Sequence, residues 1–257
     1  MTPEGEPPVV MTERRGPILG VALNRPAASN ALNAAMLRSL SLAWREAADP
    51  GVRAVVLTAN GRNFCAGADL RDRPDQQCQV HDLRHAFHPV LLALATLDKP
   101  VVAAVNGAAA GGGMALALAA DIRLASPEAR FVPAWASIGL PPDLGTSWFL
   151  PRIVGVGRVF EWVASGESLD AEKALAWGLV QTIVEPGELA MEAWTQAARL
   201  AAIPGAALRE TKRLLRNSAR RSLAEQLEAE AAAVAVASAD PERAVAMAAA
   251  RERLERG

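Results

Sequence analysis

The sequence predicts an α/β fold in which a mostly parallel β-sheet is followed by a helical C-terminal part. Two apolar, valine-rich runs, residues 52–58 and 101–105, are typical of strands that are covered on both faces. A helix-spaced apolar pattern lies between these runs, as expected for units in which helices connect parallel strands. Beyond residue 195 the chain is rich in alanine and in helix-capping residues, which favours helices alone.

Composition excludes several classes of protein. The chain has 257 residues, of which 51% are hydrophobic, so it is long enough and apolar enough for a large folded core. A net charge of −1 gives no overall field for nucleic acid, and two cysteines, Cys65 and Cys78, cannot build a disulfide scaffold. The N-terminus, MTPEGEPPVV, lacks the pattern of a signal peptide, and no long uncharged apolar run follows. We therefore expect a cytoplasmic protein without nucleic-acid or membrane partners.

The elements of the first half follow from local patterns. Residues 1–8 are expected to form a loose tail, and Asn24-Arg25-Pro26 ends a first strand. Asp49-Pro50-Gly51 ends a first helix, and Lys99-Pro100 follows a second. The predicted strands span 18–23, 52–58, 101–105 and 122–125, and the predicted helices span 33–48, 80–97 and the small-residue stretch after Gly111.

Capping residues define the helices of the second half. Asp170 is a suitable N-cap for a helix over 171–177, with Gly178 as its stop. Ser222 and Glu225 have the spacing of a capping box, and Asp240-Pro241 begins a last helix. We predict an α/β core over residues 1–195 and a helical region over 196–257. A helix faced with alanine buries little area, so we expect this region to pack against another surface, such as a second subunit.

Two glycine-containing loops are candidates for binding. The loop NFCAGADL (63–70) follows a predicted strand, and Gly111-Gly112-Gly113 opens a predicted helix. Small residues let a backbone approach a ligand closely, and the N–H groups at a helix N-terminus suit negative charge. Two such loops could each donate one hydrogen bond to a single oxygen, which would form an oxyanion hole. The alternative is that both are ordinary tight turns. Neither loop fits a dinucleotide fingerprint or a P-loop.

Several motifs together resemble a known family. NRP…NAL, FCAGADL, KPVVAAVNGAAAGGG, ADIRLAS and FVPAWASIGLPPDLGTSWFLPRIVG are similar, in order and spacing, to the crotonase (enoyl-CoA hydratase/isomerase) superfamily over residues 18–195. The resemblance implies a spiral of ββα units with a helical C-terminal trimerisation region, and a homotrimer or homohexamer. It also implies activation of an acyl-CoA thioester, with coenzyme A as part of the substrate and no metal or separate cofactor.

The resemblance also assigns residues. By position, the backbone amides of Ala68 and Gly112 would form the oxyanion hole. The segment from Ala66 through Asp69 to Leu70 would line the site of coenzyme A. Hydratases of the family use two glutamates on the reacting water, and these positions hold Ala115 and Trp135 here. Because alanine cannot accept a proton and indole only donates, we expect hydratase activity to be lost or very weak.

One carboxylate, Asp143 in the GLPPD segment, remains in the matching region. The segment resembles the phenylacetyl-CoA isomerases of the family, in which an Asp moves a proton between carbons. It also resembles 4-chlorobenzoyl-CoA dehalogenase, in which this Asp is the nucleophile. That enzyme shares a Trp eight residues before the Asp and a His 24 residues before the second amide, as Trp135 and His88 stand here. Trp135 could instead fill an acyl pocket, and His88 could be structural.

Three interpretations stay open besides an isomerase: a dehalogenase or aromatic acyl-CoA hydrolase, a metal site, and a non-catalytic acyl-CoA-binding protein. The small Ala68 departs from the large aromatic residue that the dehalogenase has near this position, so an isomerase with Asp143 as acid/base is preferred. A metal site is suggested by Cys78, His81, His85 and His88, whose spacing C-x2-H-x3-H-x2-H falls on one helix. Four ligands on one helix do not wrap a tetrahedron easily, so we expect no metal. A non-catalytic acyl-CoA-binding protein is the third interpretation.

Overall fold

A computed structural model describes residues 7–72 and 79–256. Its strands form a six-stranded sheet, in the order β1-β2-β3-β4-β6-β9, and a three-stranded sheet, in the order β5-β7-β8. The strands are β1 (Val10–Arg15), β2 (Ile18–Leu23), β3 (Ala54–Ala59), β4 (Val101–Val105), β5 (Ala108–Ala110), β6 (Ile122–Ala125), β7 (Arg130–Val132), β8 (Leu169–Asp170) and β9 (Thr182–Ile183).

Helices cover both sheets and form the whole C-terminal part. They are α1 (Ala34–Ala47), α2 (Gln79–Asp82), α3 (His88–Ala95), α4 (Gly112–Ala119), α5 (Thr146–Val154), α6 (Val156–Ser165), α7 (Ala171–Ala176), α8 (Pro186–Ala201), α9 (Gly205–Ser218), α10 (Leu223–Ser238) and α11 (Glu242–Arg256). In the part of the chain that the structure describes, no helix is long and apolar enough to cross a membrane.

The large sheet is parallel from β2 to β9, as its sequence predicts. In β3, Val55 and Leu57 face the main core, whereas Ala54 and Val56 face a second apolar cluster on the other side. Helix α8 covers that second side with its buried alanines. Because both faces are covered, these strands are continuously apolar. The predicted boundary at residue 195 falls inside α8, which packs on the sheet along its length.

Three elements differ from the sequence-based predictions. The first predicted strand begins at residue 18, but a further strand, β1, precedes it and pairs antiparallel with β2 through a turn at Gly16, whose φ is +56°. Most β1 side chains are exposed, so the strand has no apolar alternation to reveal it. Strand β5 lies inside the predicted glycine-rich turn. The single helix predicted over 80–97 is divided by a π-helical turn, Leu83–Phe87, and ends at Ala95.

Charged side chains tie the C-terminal helices to the core. The Asp121 carboxylate accepts hydrogen bonds from Lys212 Nζ at 2.6 Å, from an Arg216 guanidinium nitrogen at 3.1 Å and from the Val101 amide at 2.8 Å. It therefore fixes α9 beside the start of β4. The Arg53 guanidinium binds the Glu242 carboxylate and donates to the Ala201 and Ile203 carbonyl oxygens at 2.7 Å. This second link fixes the start of α11.

The Arg53–Glu242 link predicts acid-sensitive stability. The hydrogen bond from Arg53, followed by that from the Gly205 amide, lowers the pKa of Glu242 to about 2. A carboxyl whose pKa is lowered on folding stabilises the fold above its unfolded pKa of about 4.3, and this contribution is lost as the pH falls toward 2. Glu242→Gln should therefore lower the free energy of unfolding above about pH 5 and make little difference near pH 2. Urea unfolding across this range measures the effect.

Glu228→Gln is the matched control, because Glu228 is an exposed carboxylate of α10 without an ion pair in the described ranges. Its difference from the wild-type protein should stay small and independent of pH. A pH-independent difference for Glu242→Gln would contradict the assignment of the link to an ionised carboxylate.

Candidate active site

The two glycine-containing loops lie side by side. The Cys65 amide donates to the Ala108 carbonyl at 3.0 Å, and the Ala110 amide donates to the Cys65 carbonyl at 2.9 Å. A Cβ atom on Gly113 would lie 2.1 Å from the Cys65 carbonyl oxygen, so only glycine permits this approach. The loop after β3 is thereby joined to the start of α4.

Two backbone amides of these loops are left without acceptors. Leu32 pairs with the first loop through its own amide and carbonyl, which bind the Gly67 carbonyl and the Asp69 amide. The Ala68 amide, which lies between those groups, has no acceptor in the described ranges, and neither has the amide of Gly112, the first residue of α4. A Cβ atom on Gly67 would lie 3.2 Å from the Gly112 nitrogen. Two free donors therefore stand on adjoining segments.

The Asp143 carboxylate lies beside these segments and is held by Trp135. The indole Nε1 of Trp135 donates to Asp143 Oδ1 at 2.8 Å. The Trp135 side chain is buried, and its Nε1 is 3.9 Å from where a Cβ atom of Gly111 would stand. The structure thus brings Asp143 and Trp135 to the residue that precedes Gly112.

Leu144 joins this group in a strained conformation. It is buried, and its φ of +49° is in the left-handed region that a leucine rarely adopts. Its Cδ1 is 2.9 Å from where a Cβ atom of Gly112 would stand, so its side chain fills the space beside that glycine. Strain of this kind costs about 1–3 kcal/mol and is concentrated at functional sites.

The residues predicted to line the site of coenzyme A differ in burial and in hydrogen bonding. Asp69 is buried, and its carboxylate binds an Arg25 guanidinium nitrogen at 2.5 Å and lies 3.7 Å from Arg71. Burial raises the pKa of Asp69, but the hydrogen bonds from Arg25 and from the Arg71 amide outweigh it and hold the pKa below its usual value. Leu70 and Ala66 are exposed at the surface beside it. The Asp69 carboxylate is therefore paired within the protein and holds the loop in place. Ala66 and Leu70 are accessible to a ligand from solvent.

His88 is the first residue of α3. It is exposed and lines a cavity between α3, α5 and α9, to which Leu144 also belongs. No contact between His88 and Asp143 is present among the hydrogen bonds of the described ranges. Ala115, at the position of a hydratase glutamate, is fully buried in α4.

The candidate metal site falls partly outside the described residues, because Cys78 is not among them. The rings of His81 and His85 are 4.4 Å apart. Within the described ranges, no group of three or more His, Cys, Asp or Glu side chains is placed to hold a metal ion. The buried Cys65 thiol donates to the Asn30 carbonyl at 3.1 Å, and burial raises its pKa to about 12, so it is a poor nucleophile.

Sequence reasoning missed Arg25, Leu32 and Leu144. Arg25 lies in the NRP segment that the motif comparison includes, and its distance from Asp69 along the chain hides the ion pair. A positive φ at Leu144 has no signal in the sequence, because leucine has no preference for that region.

Comparisons with known proteins identify the family of the chain. The profile of the enoyl-CoA hydratase/isomerase family matches residues 13–255. A "Probable enoyl-CoA hydratase" of Rhodobacter capsulatus is 41% identical, with 82% of each chain covered. The 1,2-epoxyphenylacetyl-CoA isomerase of Escherichia coli is 37% identical, over 83% of this chain and 84% of its own. A 4-chlorobenzoyl coenzyme A dehalogenase of an Arthrobacter species is 36% identical, over 76% and 73%.

A solved structure supports the fold directly. An enoyl-CoA hydratase from Bacillus anthracis superimposes with a TM-score of 0.90 at 29% identity, over 95% of this chain and 96% of its own. The predicted crotonase-like α/β fold with its C-terminal helices is confirmed. The chain belongs to the crotonase, or enoyl-CoA hydratase/isomerase, family.

Proposed function

We propose that this protein is an enoyl-CoA isomerase that moves a double bond within an acyl-CoA thioester. The observation that carries the proposal is the Asp143 carboxylate, which is hydrogen-bonded to Trp135 at 2.8 Å beside Gly111. One base next to two free amides is sufficient for isomerisation. The substrate of this proposal contains coenzyme A, and the reaction moves only a proton, so it needs no redox cofactor.

The amides of Ala68 and Gly112 would bind the thioester oxygen. When Asp143 removes a proton from C2 of a 3-enoyl-CoA, electron density moves to this oxygen and a dienolate forms. Donors that already point at the oxygen stabilise the charge without reorganisation, by about 3–4 kcal/mol for each. The protonated Asp143 then returns its proton to C4, which gives the 2-enoyl-CoA and restores the carboxylate.

Trp135 would orient the base. Its N–H binds Oδ1, which leaves Oδ2 of the same carboxylate for the substrate proton. The indole also occupies the position at which hydratases carry their second glutamate, and Ala115 occupies the first. Water therefore lacks the pair of carboxylates that would hold and deprotonate it, which favours isomerisation over hydration.

The experiment that tests the proposal compares products. The purified protein is incubated with a 3-enoyl-CoA and with a 2-enoyl-CoA of equal chain length, and the products are separated by chromatography. We expect rapid formation of the 2-enoyl isomer and little or no 3-hydroxyacyl-CoA. Rapid hydration without isomerisation would contradict the role of Asp143 and would require a different pair of bases.

A dehalogenase acting on 4-chlorobenzoyl-CoA is the second candidate. The Trp135–Asp143 hydrogen bond and the spacing of His88 favour it, whereas the small Ala68 and the lack of a hydrogen bond between His88 and Asp143 in the described ranges do not. In that reaction the Asp143 carboxylate attacks the ring carbon, chloride leaves, and water cleaves the resulting ester. Release of chloride from 4-chlorobenzoyl-CoA is the measurement that would favour this candidate.

We also propose that the helical C-terminal region joins copies of the chain, as a homotrimer or homohexamer. Apolar side chains of α10 and α11 are exposed, among them Leu223 at 77%, Val234 at 64% and Val245 at 73%. Large exposed apolar patches are typical of protein–protein interfaces. Contact with another subunit would bury these side chains together with the alanines around them. The cytoplasmic location stays a prediction.

A further inference from the structure

A cavity of about 650 Å³ lies between α3, α5 and α9. We call it the α9 cavity. One part of its wall is apolar and aromatic, formed by Leu91, Leu92, Leu144, Trp148 and Phe149. Its volume is within the range of about 300–1,000 Å³ that small-molecule sites have. Because Leu144 contacts Gly112 as well as this cavity, the α9 cavity begins next to one of the two free amides.

Another part of the wall is cationic. Helix α9 and the turn after it line the cavity with Arg209, Lys212, Arg213, Arg216 and Arg220. Asp121 binds Lys212 and Arg216, Glu210 lies near Arg209 and Arg213, and Asp98 lines the cavity itself. Three carboxylates thus face five cations, which leaves an excess of positive charge. Arg220 has no ion pair in the described ranges.

We propose that the α9 cavity binds the far end of the acyl group and that this end carries a carboxylate. The inference rests on the proposed function, because it assumes that an acyl-CoA thioester is the substrate. A purely hydrocarbon end would cover the Arg220 guanidinium without giving it a partner, which is costly. A carboxylate matches the fork of an arginine, and the apolar part of the wall suits the carbon chain before it.

The phosphates of coenzyme A are the other anions that this cationic wall could bind. The experiment therefore separates the two sources. It uses two 3-enoyl-CoA thioesters of equal chain length, one with a terminal carboxylate and one with its methyl ester, and the corresponding pantetheine thioesters, which lack the nucleotide. Arg220→Gln is the variant, because Arg220 is not needed for an ion pair of the fold. Arg221→Gln is the matched control, since Arg221 lies next to it and does not line the cavity.

We expect the wild-type protein to turn over the carboxylate substrate with a kcat/KM at least about ten-fold above that of the ester. Arg220→Gln should remove most of this preference and leave the kcat/KM of the ester within about two-fold of the wild-type value. The loss for the carboxylate substrate should be the same whether it is offered as a coenzyme A or as a pantetheine thioester. Arg221→Gln should change neither. Binding of the saturated thioesters, measured by calorimetry, should show the same preference without any need for turnover.

Two results would overturn the inference and leave the proposed function intact. One is equal turnover and equal binding of both substrates, with no effect of Arg220→Gln. The other is an equal loss for both substrates that disappears with pantetheine thioesters, which would assign the cations to the coenzyme A phosphates. If no thioester is isomerised, the proposed function fails, and the binding preference of the saturated thioesters then decides the inference by itself.

Discussion

Asp143→Asn should lower kcat/KM for isomerisation by about 10²–10⁴, the usual contribution of a positioned general acid/base. The amide has the shape of the carboxylate and its oxygen can still accept the hydrogen bond from Trp135, so the fold and the pocket are expected to persist. It cannot take up the substrate proton. A coupled assay of 2-enoyl-CoA formation measures the loss, and the free energy of unfolding should stay close to that of the wild-type protein.

Trp135→Phe is the companion variant. It keeps the carboxylate and removes only the N–H that binds Oδ1, so we expect a smaller loss of activity, about ten-fold. Some loss of stability is also expected, because a buried indole becomes a smaller ring. Unchanged activity in Asp143→Asn would instead support a non-catalytic acyl-CoA-binding protein, or a base elsewhere.

Gly113→Ala should destabilise the fold by about 3 kcal/mol or more, the upper range of overpacking. The added Cβ would lie 2.1 Å from the Cys65 carbonyl oxygen and 2.6 Å from the Cys65 Cβ. Neither atom is the flexible end of a side chain, so the two loops would have to separate. For a chain of this size the change corresponds to a melting temperature lower by about 6–12 °C, measured by calorimetry.

Two other glycines serve as controls. An added Cβ on Gly187, near the start of α8, meets nothing within 4 Å, so Gly187→Ala should be neutral or slightly stabilising. On Gly112 the added Cβ meets Leu144 Cδ1 at 2.9 Å and Leu32 Cδ1 at 3.1 Å. These side-chain ends can rotate, so Gly112→Ala should fold better than Gly113→Ala while losing activity. Equal stability of all three variants would contradict the tight contact between the loops.

Much of the fold could be predicted because its central elements carry local signals. Strands β2 and β4 have the predicted bounds, since covered strands are continuously apolar. The Asp170 side chain accepts a hydrogen bond from the Lys173 amide, and Ser222 with Glu225 forms the predicted capping box. Strands β1 and β5 have no such pattern, because each depends on a partner strand rather than on its own side chains.

The candidate site likewise has one part that the sequence predicts and one part that it does not. The glycines and small residues indicated the two loops, and the resemblance to the crotonase family indicated Trp135 and Asp143 by their positions in its motifs. The contact between Trp135 Nε1 and Asp143 depends on the tertiary fold, and so does the Arg25–Asp69 ion pair. The spacing of motifs along the sequence can identify such residues, but it does not predict which way their side chains point.

The attachment of α9 through Asp121 has a consequence for how the protein is made. The ribosome completes both loops, Trp135 and Asp143 well before it reaches Lys212 and Arg216, which hold α9 in place. Until then the α9 cavity lacks its cationic wall. A chain interrupted ahead of α9 would carry every group proposed for the chemistry and yet lack the cations proposed to select the substrate, so the means of selection is synthesised after the means of catalysis.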